Sequence, residues 1–371
     1  MKLLSSFVRP LTTSFALATQ HASPGRIHQQ GIGSTFGIKR TLAINSSSSS
    51  SLRASSSTNT YTTHSSVTPE LIDQYDAFIL DQFGVLHNGA TALDGAVALT
   101  EHLKALGKKL IVLSNTSAPS EKALEKLPKY GFNPQHFVGA VTSGEEALKY
   151  INQELTNTKV LMMTWDASDP SNPRLTAMPQ LFLDRMESVE LATSVDEADW
   201  LVLHGTEVWW KGGNDNVDLQ FINDGNMEAV VEPFLQQCAA RNLPAVCANP
   251  DIIVLTPDGG KAYMPGTIAK RYEELGGHVE WFGKPEVRHF RACLETLGIA
   301  PDRVCHVGDS LHHDIKGANE AGIANIFVTS GIHRGDFGTE FGELPEDPQL
   351  SDLFAQEGNI VPTHVVPAFR Q

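Results

Sequence analysis

Cysteine is scarce in this chain. Only Cys238, Cys247, Cys293 and Cys305 occur, no two of them form a C-x-x-C pair, and no histidines gather with them at zinc-ligand spacing. Neither a disulfide framework nor a structural zinc site is therefore indicated. Cys293 and Cys305 lie in apolar contexts that suit buried, inert thiols, and a reducing compartment is the simpler inference. Long apolar runs are also lacking: no stretch approaches the ~18 residues of a membrane-spanning helix. Positive charge is in short supply, with 28 Lys and Arg against 43 Asp and Glu and a net charge of −15. Phosphate repulsion makes such a chain a poor binder of nucleic acid and of anionic membranes, although the same acidity also serves solubility. What remains is 371 residues with 41% apolar content, enough for two domains with cores of their own.

A further absence is local. Residues 1–69 contain no Asp or Glu, while Lys2, Arg9, Arg26, Lys39, Arg40 and Arg53 and many Ser and Thr are present, including six serines from Ser46 to Ser51. Basic, Ser-rich and acid-free composition is that of an organellar transit peptide, for mitochondrion or plastid. The alternative is a disordered tail. Without these residues 22 basic residues face all 43 acidic ones, near −21.

From Asp76 onward strand and helix patterns alternate, which predicts an α/β fold with a parallel sheet covered on both faces. Strands are expected at Asp76–Leu80, Lys109–Leu113, Val279–Phe282, Val304–Val307 and Asn325–Thr329. Helices are expected at Gly95–Leu106, Pro119–Tyr130, Ser143–Leu155, Thr267–Leu275, Val287–Leu297 and His312–Ala321. Ser143 and Glu146 have the spacing of a capping box. The character changes near Asn157, with strands at Lys159–Met163 and Trp200–His204, a polar loop over Asp166–Pro173, and a helix within Met227–Arg241. The expected division is a leader at 1–69, a core at 70–156 and 263–335, an inserted domain at 157–262, and an irregular, Pro- and acid-rich tail at 336–371.

Chemistry concentrates in four segments. In Phe78-Ile79-Leu80-Asp81-Gln82-Phe83-Gly84-Val85-Leu86 an apolar strand ends on an aspartate and a Gly turn follows. Such a carboxylate, at the C-terminal lip of a buried strand, sits where open α/β sheets keep their sites; it is either a cap or a nucleophile able to form an acyl phosphate. Ser114-Asn115-Thr116 follows the second strand and offers a hydroxyl and an amide to phosphate oxygens. Lys284, between Gly283 and Pro285, offers a cation. Asp309 and Asp314 follow the Val304–Val307 strand, as a turn and a helix cap or as hard oxygen ligands for Mg²⁺.

Together, in this order, the four segments resemble the haloacid dehalogenase (HAD) superfamily, over Asp76 to about Gly331. The insertion between Ser114 and Lys284 is similar to the class IIA branch, which includes pyridoxal-phosphate and nitrophenyl-phosphate phosphatases. The resemblance implies a Rossmann-like core with an α/β cap. It implies Asp81 as nucleophile and Mg²⁺ held by Asp81, the Phe83 carbonyl, Asp309 and Asp314. Ser114, Asn115, Thr116 and Lys284 would hold the phosphoryl group of a small phosphorylated metabolite. Asn249-Pro250-Asp251 also resembles a motif of that branch, or forms a turn. Trp209-Trp210 would lie in the cap, as core or as substrate contact. A homodimer is left open.

One position departs from the pattern. The family's phosphatases place a second Asp two residues after the nucleophile, as general acid and then base, a role worth roughly 10²–10⁴-fold. Here that residue is Phe83. Three outcomes follow: a leaving group that needs no proton, a substitute acid (His87, His312 or His313), or a fold that binds phosphometabolites without turnover. Hydrolysis of a non-ester bond is a further alternative.

Overall fold

In the computed structural model, which describes residues 61–166, 180–212, 216–255 and 260–371, the chain lays down four parallel strands, leaves for a second sheet and returns for three more. The first four are β1 (Thr62–Thr63), β2 (Ala77–Leu80), β3 (Lys109–Ser114) and β4 (Phe137–Thr142). The second sheet contains β5 (Thr158–Thr164), β6 (Val189–Leu191), β7 (Trp200–Leu203), β8 (Val208–Trp210), β9 (Val217–Asp218) and β10 (Pro244–Cys247). A hairpin, β11 (Ile253–Leu255) and β12 (Lys261–Tyr263), precedes its last strand, β13 (His278–Trp281). The chain then returns through β14 (Val304–Gly308), β15 (Ala324–Val328) and β16 (His364–Val366).

The first sheet runs β1-β16-β15-β14-β2-β3-β4, and every pairing in it is parallel. Strand order reverses about β2, so the C-terminal ends of β2, β3 and β14 open on the crevice where α/β folds bind ligands. The period-2 alternation of side chains explains the core. Phe78, Leu80, Leu110 and Val112 point to one face, with Leu99 and Leu103 of the helix Ala96–Ala105. Ala77, Ile79, Ile111 and Leu113 point to the other, with Phe290, Cys293 and Leu297 of the helix Val287–Leu297. All four cysteines are free and buried, and burial pushes the thiols of Cys238 and Cys247 up to about 12. Among the described residues no helix is long and apolar enough to cross a membrane.

The structure moves several expected boundaries. The leader lies outside the described residues up to residue 60, but 61–69 already belong to the fold: β1 pairs with β16, and the Thr68 side chain caps the helix Pro69–Ile72. The stretch 263–282, expected in the core, builds the second sheet, where β13 pairs in parallel with β10. A helix followed by a parallel strand reads alike whichever sheet receives it, so periodicity alone could not assign it. The tail is not irregular. Asp347–Gln356 is a helix closed by a capping box between Glu346 and Gln349, and it buries Leu350, Leu353 and Phe354 against Phe327 and Val365. His364 of β16 accepts or donates bonds on both ring nitrogens, to Tyr75 Oη at 2.9 Å and His64 at 3.2 Å. The helix Ser143–Glu154 is capped by the Thr142 hydroxyl, which accepts from Glu145 N; Ser143 instead donates to the Thr116 carbonyl. The polar loop beyond Asp166 lies outside the described residues.

Candidate active site

Asp81 stands at the end of β2, and its N–H donates to Val307 O at 3.0 Å, holding β2 level with β14. Asp309, one residue past β14, is thereby brought beside it. Two glycines make room for the Asp309 carboxylate. A Cβ on Gly84 would lie 1.9 Å from Asp309 Oδ2, and one on Gly331 2.2 Å from it. Gly84 also takes φ of 82°, which turns the chain back so that its N–H donates to His87 O. Asp309 Oδ2 accepts the Ile332 N–H at 2.8 Å.

Lys284 ties the cluster together. Its Nζ lies 2.7 Å from Asp81 Oδ1 and 2.7 Å from Asp314 Oδ1, with all three side chains buried. His306 Nε2 lies 2.8 Å from the same Asp314 oxygen, and Ser310 N donates to the other at 3.0 Å. Ligand atoms of Asp81, Asp309 and Asp314 lie within 4.8 Å of one another. One ammonium thus faces three buried carboxylates, and the excess is what a divalent cation would neutralise. The side-chain donors are all oxygen, the set that suits Mg²⁺. The electrostatics follow. Burial raises Asp81 to about 6, against the pull of Lys284. Burial and its acidic neighbours hold Asp309 well above the usual carboxylate range. Burial also opposes ionisation of Asp314, but Lys284 and His306 outweigh it and hold that carboxyl low.

Asn115 is held by hydrogen bonds at both ends of its side-chain amide. Its Oδ1 accepts the Lys284 N–H at 2.7 Å, and its Nδ2 donates to Asp251 Oδ1 at 2.8 Å. Both ends of the amide are engaged, joining the loop after β3, the return from the second sheet and the Lys284 segment. Asn249-Pro250-Asp251 forms a turn in which Asp251 N donates to Asn249 Oδ1. Burial raises the Asp251 carboxyl to about 6. Ser114 is buried beside this clamp. The Thr116 hydroxyl accepts from Ala118 N and its carbonyl accepts from Ser143 and Gly144, so its bonds stay within its own corner of the fold. Sequence reasoning missed His306 and His289. A polar residue inside the otherwise apolar β14 was the available signal for the first.

His289 is buried and its Nε2 accepts the Gly283 N–H at 2.9 Å, next to Lys284. Burial, with Arg288, lowers it to about 3, so the native state holds it neutral while the unfolded chain protonates it near 6.5. The contribution is full above that value and is lost as pH falls toward 3. Between pH 6.5 and 4.5, urea unfolding of His289→Gln is expected to depend less steeply on pH than wild type, by up to about 1.4 kcal/mol per pH unit.

Phe83 is 43% exposed, its ring edge-on to His87 with centroids 6.3 Å apart. His87 stacks on Tyr130 at 4.1 Å, and its Nδ1 accepts the Gly89 N–H. His313 Nδ1 lies 3.7 Å from Asp251, and burial lowers it to about 4; His312 is lowered for the same reason. Trp209 packs on Phe234, with Lys211 over its indole, and the Trp pair lines cores of the second sheet.

Fold and site together define a parallel α/β core with a carboxylate–lysine site at its strand ends and an inserted second sheet. Residues 78–169 match the family model described as haloacid dehalogenase-like hydrolase, and residues 281–353 match one described as HAD-hydrolase-like. Both segments that build the first sheet are thus similar to HAD-like hydrolases. It is 24% identical over 283 residues to a 4-nitrophenylphosphatase of Schizosaccharomyces pombe, covering 71% of this chain and 87% of that one. It is 23% identical over 266 residues to an acid sugar phosphatase of Staphylococcus aureus, covering 70% and 88%. Among solved structures, a HAD-like hydrolase from Brucella suis superposes with a TM-score of 0.62 at 24% identity, over 81% of this chain and 97% of that one. A p-nitrophenyl phosphatase from Archaeoglobus fulgidus gives 0.57 at 21%, over 80% and 97%.

Proposed function

We propose that the protein is a Mg²⁺-dependent phosphatase that cleaves a small phosphate monoester through an acyl phosphate on Asp81. The observation that carries this reading is Lys284, bridging Asp81 and Asp314 inside a cluster with excess negative charge. An Asp81 oxygen attacks phosphorus, and the bond from phosphorus to the leaving oxygen breaks with its electrons going to that oxygen. Water then attacks the same phosphorus, the bond from phosphorus to the Asp81 oxygen breaks with its electrons returning to the carboxylate, and the proton lost by water passes to the released phosphate or to solvent. The Lys284 ammonium offsets charge on the phosphoryl oxygens as they move past it, and Asn115 fixes the Lys284 backbone. Asp81, Asp309, Asp314 and the Phe83 carbonyl would hold Mg²⁺, which when bound supplies charge neutralisation for an anionic substrate. The phosphatase names of the relatives from Schizosaccharomyces pombe and Staphylococcus aureus support the reaction class. The acid-free leader supports delivery to a mitochondrion or plastid.

Phe83 cannot transfer a proton, so the leaving group must depart with little basicity. The same residue favours the second reading, a phosphometabolite-binding protein with little or no turnover. Phe83→Asp separates the two. An active site lacking only its acid should gain on the order of 10²–10⁴-fold in hydrolysis of alkyl phosphates and much less with aryl phosphates. Steady-state assay of both ester types with Mg²⁺ checks this; no gain on either would count against the phosphatase reading.

A further inference from the structure

Large apolar side chains that stand exposed are few among the described residues, and they are not scattered. Of Phe83, Leu106, Val138, Ile252 and Ile332, two adjoin the carboxylate cluster, and a third, Ile252, follows Asp251. Phe83 is two residues past Asp81 and 43% exposed. Ile332 is 55% exposed, and its N–H is the one bonded to Asp309. Ile252 is 40% exposed and follows Asp251, the partner of Asn115. Exposed apolar surface costs free energy in water unless something covers it, and a cluster of it marks a binding surface.

The Phe83 ring is also held in place. A Cβ on Gly89 would lie 3.2 Å from its Cε2, His87 meets it edge-on, and Tyr130 backs His87 while its hydroxyl donates to Gly89 O at 3.1 Å. A fixed ring with an open face is a platform for a flat apolar group. A polyol leaving group would find no hydrogen-bond partner on that ring, and none of these three side chains could donate a proton to it.

We infer that Phe83 and Ile332 form the subsite for an apolar, phenolic leaving group, so that the substrate class is the aryl phosphate monoester rather than the sugar or polyol phosphate. The inference rests on the phosphatase reading and adds the identity of the ester's organic half. Chemistry and surface agree: a phenolate leaves without a general acid, and an arene covers the exposed ring.

The test reads binding apart from turnover. In the full chain carrying Asp81→Asn, with Mg²⁺, 1-naphthyl phosphate and glycerol 2-phosphate are titrated by calorimetry. The naphthyl ester is expected to bind at least about tenfold tighter, as burial of an arene implies. In the same background Ile332→Ser and Phe83→Ser are each expected to shrink that ratio severalfold, with thermal melts establishing that both variants fold. Equal affinity for the two esters, or a ratio unmoved by both substitutions, overturns the subsite. The wild-type chain assayed on the same esters distinguishes the two layers. Hydrolysis of both without preference refutes the subsite and leaves the phosphatase standing. Preferential binding of the naphthyl ester without hydrolysis supports the subsite and refutes the phosphatase.

Discussion

Asp81→Asn is expected to abolish Mg²⁺-dependent hydrolysis of an aryl phosphate, with a loss on the order of 10⁴-fold or more, as when a covalent nucleophile is removed. The amide matches the carboxylate in shape, so the packing at the end of β2 is retained. It is neither an effective nucleophile nor a group that forms and releases an acyl phosphate. Folding should not suffer, because Lys284 keeps Asp314 as a partner at 2.7 Å and the substitution lowers the number of buried carboxylates that share the one ammonium. An aryl substrate is the right probe, since its leaving group hardly needs the acid that Phe83 does not provide. Wild-type-like turnover by Asp81→Asn would rule out the acyl phosphate outright. Activity that vanishes with chelator in wild type and is absent from the variant would tie nucleophile and metal to one site.

Lys284→Met carries the second large effect, and it falls on stability as well as rate. The substitution keeps the length of the stem and deletes the ammonium, leaving Asp81, Asp309 and Asp314 buried around no cation. Removing one partner of a buried ion pair costs about 3–5 kcal/mol, because the remaining charge is stranded. Urea unfolding in chelator should therefore show a large drop in midpoint. Mg²⁺ should restore more stability to the variant than to wild type, since ligand that binds only the folded state stabilises by mass action. Hydrolysis should remain poor even with Mg²⁺, because the metal does not replace a donor aimed at the phosphoryl oxygens. A variant that unfolds at the wild-type midpoint in chelator would show that Lys284 does not balance the cluster.

Asp81 and Asp309 were legible because each follows a strand whose register is fixed by burial. Asp81 after Ala77–Leu80 and Asp309 after Val304–Gly308 lie side by side once those strands pair in parallel. Lys284 was legible only through the family pattern, since nothing in periodicity says which sheet Val279–Phe282 joins, and it joins the second. The bonding partners of Asn115 were not legible at all. An amide after a strand serves phosphate or backbone equally well, and its partner Asp251 lies 136 residues away in sequence. Strand β4 was overlooked because Phe137-Val-Gly-Ala-Val-Thr142 carries a Gly-Ala centre with weak strand preference, which pairing with β3 overrides. The tail helix was overlooked because prolines and acids mask the spacing of Leu350, Leu353 and Phe354.

The two-residue strand β1 has a consequence for the protein as a material. It is the outermost member of a fully parallel sheet and covers the free side of β16. A bare edge of that kind is a template on which a strand of a second copy can add, and proteins guard against it. Thr62 and Thr63, steadied by the His64–His364–Tyr75 bonds, act as that guard. Proteolytic nicking just beyond Thr63 would leave Asp81, Lys284 and Asp309 in place, yet bare the edge of β16 as a template for sticking edge to edge.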